Sequence, residues 1–114
     1  MSRTLEATGL AELVNNAWTR LWTVPAGHKF ELLDLLTILA PIPDPQVLVL
    51  FVPGAGPGYY LTISPTLAGA TQAWQWYTDG WPFHAGDSLD VAVINHAGAT
   101  GTVAASYIDV DYNT

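Results

Sequence analysis

The 114-residue sequence contains no cysteine, which excludes both a disulfide framework and a thiolate metal site. Charged residues are also few, at 11% of the chain, and three Lys or Arg stand against ten Asp or Glu. The resulting formal net charge of −7 repels phosphate backbones. We therefore expect no nucleic-acid partner.

Long apolar runs are missing as well. The longest candidate, residues 35–51, is interrupted by Pro41, Pro43, Asp44 and Pro45, whereas a membrane helix needs about 18 uninterrupted apolar residues. The N-terminal segment MSRTLEATGLAEL has no apolar core of the kind a signal peptide requires. We expect no membrane span and synthesis in the cytoplasm without export.

Half of the residues are hydrophobic, and 10 Gly and 8 Pro divide the chain into segments of β-strand length. The length suits one domain. This pattern predicts an all-β fold, an antiparallel β-sandwich of jelly-roll-like type with about seven or eight strands. Residues 1–17 are expected to form an extended N-terminal arm or a first strand, with a first strand favoured, and residues 18–114 the single β-sandwich domain.

Alternation predicts which side chains share a strand face. In the longest strand it places Phe30, Leu32, Asp34, Leu36 and Ile38 on one face, and Glu31, Leu33, Leu35, Thr37 and Leu39 on the other. Both faces are largely apolar, which indicates a strand covered on both sides. Further strands are expected at residues 46–52, 59–63, 73–78, 88–95 and 102–112. PGAGPG is expected to join the first two of these as a hairpin, and DGWP to form a turn.

A short internal echo also points to two sheets. Residues 26–32 and 85–91 share the pattern Ala-Gly-x-x-apolar-acid-apolar, in which Gly permits a tight turn that starts a strand.

The chemistry-bearing residues form no local catalytic or metal motif. His28, His84 and His96 lie at or beside Gly-containing turns, and the paired H-x-H with a following Glu that cupin-like barrels use is missing. We expect solvated turn histidines, although His84 with Asp87 or His96 remains an alternative metal set. The acid pairs Asp87/Asp90 and Asp109/Asp111 fit surface acids better than a calcium loop. No enzyme activity, metal or cofactor is expected.

Tryptophan is the residue type with the most functional content. Trp74 and Trp76 are predicted to share a strand face, about 7 Å apart, with Trp81 nearby. Trp18 and Trp22 share a face if their segment is extended. These five residues are candidates for a protein interface or for stacking on sugar rings, and plain core packing is the alternative.

Residues 18–39, WTRLWTVPAGHKFELLDLLTIL, together with AGDSLDVAVIN and SYIDVDY, resemble small jelly-roll virion proteins of tailed bacteriophages, of the head decoration or cement type. Trp22 stands where that pattern usually has Tyr, and His28 where it usually has Lys. The resemblance implies a structural capsid decoration protein that stabilises the head, located in the virion and assembled in the host cytoplasm. It implies no catalytic residues.

The expected partners are the major capsid protein or other virion proteins, together with further copies of the chain in a homo-oligomer. The alternative is a carbohydrate-binding or receptor-binding β-sandwich module in a tail or head fibre, because paired Trp residues on a β scaffold suit sugar rings. A cupin-type enzyme is a third hypothesis, and the missing histidine motif disfavours it.

Overall fold

The chain folds into two antiparallel β-sheets that enclose one hydrophobic core. The structure, a computed structural model, describes residues 1–14, 17–39, 46–63, 72–94 and 101–113. These residues form nine strands: β1 (Ser2–Ala7), β2 (Ala11–Leu13), β3 (Trp18–Thr23), β4 (His28–Leu39), β5 (Gln46–Val52), β6 (Tyr59–Ile63), β7 (Gln72–His84), β8 (Ser88–Ile94) and β9 (Gly101–Asp111). The described residues contain no helix that is long and apolar enough to span a membrane. The predicted loops PIPDP, SPTLAGAT and HAGATG lie outside the described residues.

The strand order is that of a jelly roll. The first sheet has the order β1-β9-β4-β7, with β2 also paired to β9, and the second sheet has the order β3-β8-β5-β6. Apart from β1 to β2 and the hairpin from β5 to β6, every connection carries the chain from one sheet to the other. This two-sheet arrangement confirms the predicted β-sandwich and its jelly-roll character.

The N-terminal segment is a strand at the edge of the first sheet. Both β1 and β2 pair with β9, and Thr8 bridges the gap between them. The backbone N–H of Thr8 donates to the carbonyl of Ala105 at 2.9 Å, and the N–H of Ala105 donates to Thr8 Oγ1 at 2.9 Å. The sequence left open whether this segment is an extended arm or a first strand, and these residues form paired strands.

The core is built from alternate residues of both sheets. In β8, Leu89, Val91 and Val93 are fully buried, as their alternation predicts. Each such side chain contributes roughly 1.5–3 kcal/mol through burial. The remaining fully buried side chains come from β4, β5, β7 and β9 and include Leu32, Leu35, Val47, Val49, Phe83 and Val103.

A bulge in β4 makes the predicted faces of that strand wrong beyond Leu32. Leu32 pairs with Tyr107 of β9, but the next paired residue is Asp34, so Leu33 is an extra residue in the ladder. An extra residue reverses the alternation that follows it. Leu35 and Thr37 are therefore buried in the core, whereas Asp34, Leu36 and Ile38 lie on the outer face.

The Asp-Gly pair in β7 does not end the strand. Opposite the β4 bulge, residues 77–80 are inserted between Trp76 and Trp81, and β7 then continues to His84. Asp79 and Gly80 have φ of 61° and 77°, the left-handed conformation that an Asp-Gly pair favours. The predicted DGWP turn is thus a local excursion within one strand.

The two echoed Ala-Gly turns lie together at one end of the sandwich. Gly27 and Gly86 have φ of 80° and 90°, and each turn carries the chain between the sheets. Val24 joins them, because its carbonyl accepts from the N–H of Gly86 and its N–H donates to the carbonyl of Asp87, both at 2.9 Å. The Asp87 carboxylate also connects the β5–β6 loop to these turns, because it accepts a hydrogen bond from the N–H of Gly54 at 2.9 Å.

Candidate functional site

Trp18 and Trp22 face opposite sides of the second sheet, so the prediction that they share a face is wrong. Arg20 pairs with Asp90 of β8 and Trp22 with the next residue, Leu89, which leaves the residue between them, Leu21, as a bulge. Trp22 is buried in the core, with ring centroids 4.7 Å from Tyr107 and 5.3 Å from Phe30 and Phe83. Trp18 is 43% exposed on the outer face.

The tryptophans of β7 are also separated. Trp76 pairs with Asp34 and is 67% exposed on the outer face of the first sheet. Trp81 lies beyond the four-residue insertion and pairs with Leu32, whose side chain points to the core, so Trp76 and Trp81 do not form one cluster. The backbone of Trp74 pairs with Leu36, and its side chain lies outside the described part of the structure.

The outer face of the first sheet carries exposed apolar side chains. Leu5 is 67% exposed in β1 and Ile38 is 37% exposed in β4, in addition to Trp76. Between them lie Ile108, which pairs with Leu5, and Leu36, both partly buried, together with two polar residues, Asp34 and Ser106, which pair with each other. We call Leu5, Leu36, Ile38, Trp76 and Ile108 the outer apolar face. An ion pair lies on the same face, between Arg3 and Glu31 at 2.8 Å, and Glu31 pairs with Ile108.

The outer face of the second sheet has a different character. One row of paired residues crosses all four strands and consists of Arg20, Asp90, Leu50 and Tyr60. The neighbouring row begins with Trp18, which pairs with Ala92 of β8. The ring centroids of Trp18 and Tyr60 are 6.2 Å apart, with 39° between the ring planes.

These two rings reach over the sheet from opposite edges. β3 and β6 are the edge strands, separated by three strand spacings or roughly 14 Å. A ring separation of 6.2 Å therefore requires both side chains to lean inward over β8 and β5. Ala92 and Asp90 beneath them are only 3% and 8% exposed. Trp18 and Tyr60 keep 43% and 51% of their own surface in solvent.

An ion pair lies beside the rings. Arg20 Nε donates to Asp90 Oδ1 at 2.9 Å, and its Nη2 donates to Oδ2 at 3.2 Å, which is a bidentate arrangement. These hydrogen bonds, with the charge of Asp90, raise the pKa of the Arg20 guanidinium. The Asp90 side chain is 11% exposed and that of Arg20 is 53% exposed. We call Trp18, Arg20, Tyr60 and Asp90 the aromatic clasp.

Three members of the aromatic clasp were not predicted as site residues. Asp90 was correctly placed on the face away from the core, but as a solvated surface acid, whereas it is buried and paired with Arg20. Tyr60 lies in the second strand of the predicted hairpin, and only its exposure in an otherwise apolar strand distinguishes it as a site residue. Recognising the clasp requires knowing that β3 and β6 are the edges of one sheet.

His28 and Asp109, which the sequence predicts as a solvated turn histidine and a surface acid, are paired with each other. His28 Nδ1 lies 2.8 Å from Asp109 Oδ1, and its Nε2 lies 3.9 Å from Asp111 Oδ1. The hydrogen bond to Asp109 is the main cause of the raised pKa of His28. The expectation of a solvated turn histidine is thus wrong for His28, because strand pairing places it beside the acids of β9.

The alternative metal set around Asp87 has no support in the described residues. Both Asp87 oxygens accept backbone N–H groups, one from Gly54 at 2.9 Å and one from His84 at 2.8 Å. The described part of the chain contains no group of three or more His, Cys, Asp or Glu residues placed to hold a metal ion. His96 lies outside that part.

Neither protein-family models nor curated proteins match this chain. Function is therefore inferred from the jelly-roll topology, the outer apolar face and the aromatic clasp.

Proposed function

We propose that this chain is a structural protein of a tailed-bacteriophage virion, a decoration subunit that stabilises the head by docking on the major capsid protein or another virion protein. The observation that carries the proposal is the outer apolar face, where Leu5 and Trp76 each expose 67% of their surface. Large exposed apolar residues that share one sheet face are typical of a surface that another protein covers.

Composition and fold agree with this role. Low charge density and exposed aromatic residues are characteristic of the centre of a protein interface, where Lys, Glu and Asp are depleted. Jelly rolls serve in viral capsid proteins, but they also serve in lectins and cupins, so the fold alone does not select the function. The outer apolar face and the resemblance of residues 18–39 to phage virion proteins favour a virion role over a lectin or a cupin.

Docking is expected to use the first sheet and to leave the second sheet free. The ion pair between Arg3 and Glu31 lies on the same face, where Glu31 pairs with Ile108, so the docking surface includes polar as well as apolar groups. On the edge strand β7, Trp76 is the largest exposed side chain, and a Trp anchor that enters a partner's pocket commonly accounts for 2 kcal/mol or more, about thirtyfold in affinity.

Co-sedimentation with phage heads tests this function. Purified protein is mixed with heads, lacking this subunit, from the phage that encodes it, and the bound fraction is measured across protein concentrations. We expect saturable binding by the native chain and binding weaker by about tenfold or more for Trp76→Ser. Trp18→Ser, which makes the same change on the other sheet, is the matched control and should bind normally. Native protein that fails to bind, or Trp76→Ser that binds equally well, contradicts the proposal.

A further inference from the structure

We infer that the aromatic clasp is a binding site for an uncharged sugar ring, such as a terminal hexopyranose of a glycan. This inference goes beyond the proposed function and does not rest on it, because the clasp belongs to the second sheet and the outer apolar face belongs to the first. It is carried by the position of Trp18 and Tyr60, by the covered residues beneath them, and by the ion pair at their side.

The two rings offer a shallow aromatic cradle. Their planes are inclined by 39° and their centroids lie 6.2 Å apart, a separation within the range of ordinary ring contacts, so the two rings support each other. Trp18 and Tyr60 each keep about half of their residue surface exposed. A pyranose ring has an apolar C–H face of similar width, and stacking on an aromatic ring buries that face without removing its hydroxyls from hydrogen-bonding partners.

The hydrogen-bonding groups beside the cradle match a neutral polyol. Arg guanidinium has five N–H donors, and Asp90 takes two of them, which leaves three on a side chain that is 53% exposed. Asp90 fixes the guanidinium plane and cancels its charge, so the clasp presents oriented donors without a net charge. Fixed planar donors beside aromatic rings select hydroxyl groups.

Charge argues against the other flat ligands that aromatic rings bind. A nucleotide or a sulfated sugar carries negative charge, and the protein has a net charge of −7. Arg20, the cation of the clasp, is already paired with Asp90. A neutral saccharide is the ligand that meets rings, donors and charge together.

The indole signal of Trp18 reports binding directly. In a ¹H–¹⁵N spectrum of the full chain, the resonance that disappears in Trp18→Phe is assigned to Trp18. The native protein is then titrated with methyl glucoside, methyl galactoside, methyl mannoside and N-acetylglucosamine. We expect one or more of these probes to shift the Trp18 resonance saturably, with a Kd in the range of about 1–10 mM that suits a single exposed site.

Variants of the clasp residues distinguish a sugar site from a protein contact. Trp18→Ala and Tyr60→Ala should each weaken sugar binding by about tenfold, Trp18→Phe should retain part of it, and Arg20→Lys should weaken it through loss of the planar fork. Trp76→Ala, on the other sheet, is the matched control and should bind sugar like the native chain. Circular dichroism checks that each variant is folded.

Two results would overturn the inference. One is the absence of any saturable shift of Trp18 with all four sugars, confirmed by an array of longer neutral glycans. The other is sugar binding that persists unchanged in a folded Trp18→Ala variant. Binding of Trp76→Ser to phage heads with native affinity contradicts only the proposed function, because Trp76 lies on the other sheet.

Discussion

At the scale of single residues, hydrogen bonds hold Asp87, Asp109 and His28 in defined places. Asp87 ties the β5–β6 loop to the β7–β8 turn through two backbone N–H groups. His28 ties the start of β4 to Asp109 near the end of the chain. Both contacts join segments that are far apart in the sequence.

The contact between His28 and Asp109 predicts a pH-dependent contribution to stability. The folded-state pKa of His28 is raised above the unfolded value of about 6.5, chiefly by the hydrogen bond to Asp109. The folded state therefore binds the proton more tightly, so the stabilisation is fully present below pH 6.5 and is lost as the pH rises through the raised pKa.

A comparison with His28→Gln checks this contribution. Thermal unfolding is followed at intervals between pH 5.5 and pH 9. The difference in Tm between the native chain and the variant should be largest at the acidic end and should shrink as the pH increases. His84→Gln makes the same substitution at an exposed histidine outside this contact and serves as the control for the change of side chain. A His28→Gln difference that is constant across the range contradicts the assignment.

At the scale of strands, each edge strand of the two sheets carries an irregularity. β1 is interrupted after Ala7, and β7 carries the four-residue insertion followed by Pro82. In the second sheet, β3 has its bulge at Leu21, and the pairing of β6 shifts beside Leu50. Irregular edges resist pairing with the strands of other molecules. Association is thereby directed to the sheet faces rather than to the edges.

The four-residue insertion in β7 depends on Gly80. Alanine substitutions at three glycines measure how much a left-handed φ and a close contact each lower stability. At Gly80, a Cβ would lie 3.0 Å from Glu31 Cβ, and φ is +77°. Gly56 has φ of +97° with open space around it, and Gly9 has open space and no left-handed φ. We expect Gly80→Ala to lower the free energy of unfolding by about 2–3 kcal/mol and Gly56→Ala by about 1 kcal/mol, because the first adds a close contact to the same backbone strain.

Gly9→Ala is the baseline for this series and should change stability by less than about 0.5 kcal/mol. Urea unfolding monitored by tryptophan fluorescence gives all three values. Equal losses for Gly80→Ala and Gly56→Ala would show that the contact with Glu31 relaxes freely and that only φ matters.

The strands show how far sequence reasoning extends. Alternation correctly predicted the core face of β8, because its pairing is regular from Ser88 to Ile94, and PGAGPG correctly predicted the β5–β6 hairpin. Alternation placed Leu35 on the wrong face, because the bulge at Leu33 arises from pairing with two neighbouring strands that are distant in sequence. The aromatic clasp was missed for the same reason, since Trp18 meets Tyr60 only through the order of the strands.

At the scale of the whole molecule, the two sheets present opposite surfaces with different chemistry. The first sheet has an outer apolar face that suits a protein neighbour, and the second has rings and a neutralised ion pair that suit a sugar. A jelly roll can serve both, because its sheets face opposite directions while sharing one core. Under the proposed function, the subunit would dock with the first sheet and present the second away from the particle.

Net charge should control whether the outer apolar face associates with copies of itself. At pH 7 the charge of −7 keeps molecules apart, and near the pI of about 4.4 that repulsion disappears. We expect light scattering by the native chain to rise steeply between pH 7.5 and pH 4.5. A Leu5→Ser, Trp76→Ser double variant keeps the same charge at both pH values but loses the two most exposed side chains of the outer apolar face, so its scattering should rise far less. Trp18→Ser is the control and should behave like the native chain, while circular dichroism at pH 4.5 establishes that all three proteins remain folded.

A double variant that scatters as strongly as the native chain would show that self-association uses a surface other than the outer apolar face. That result would also contradict the proposal that the first sheet is the docking face.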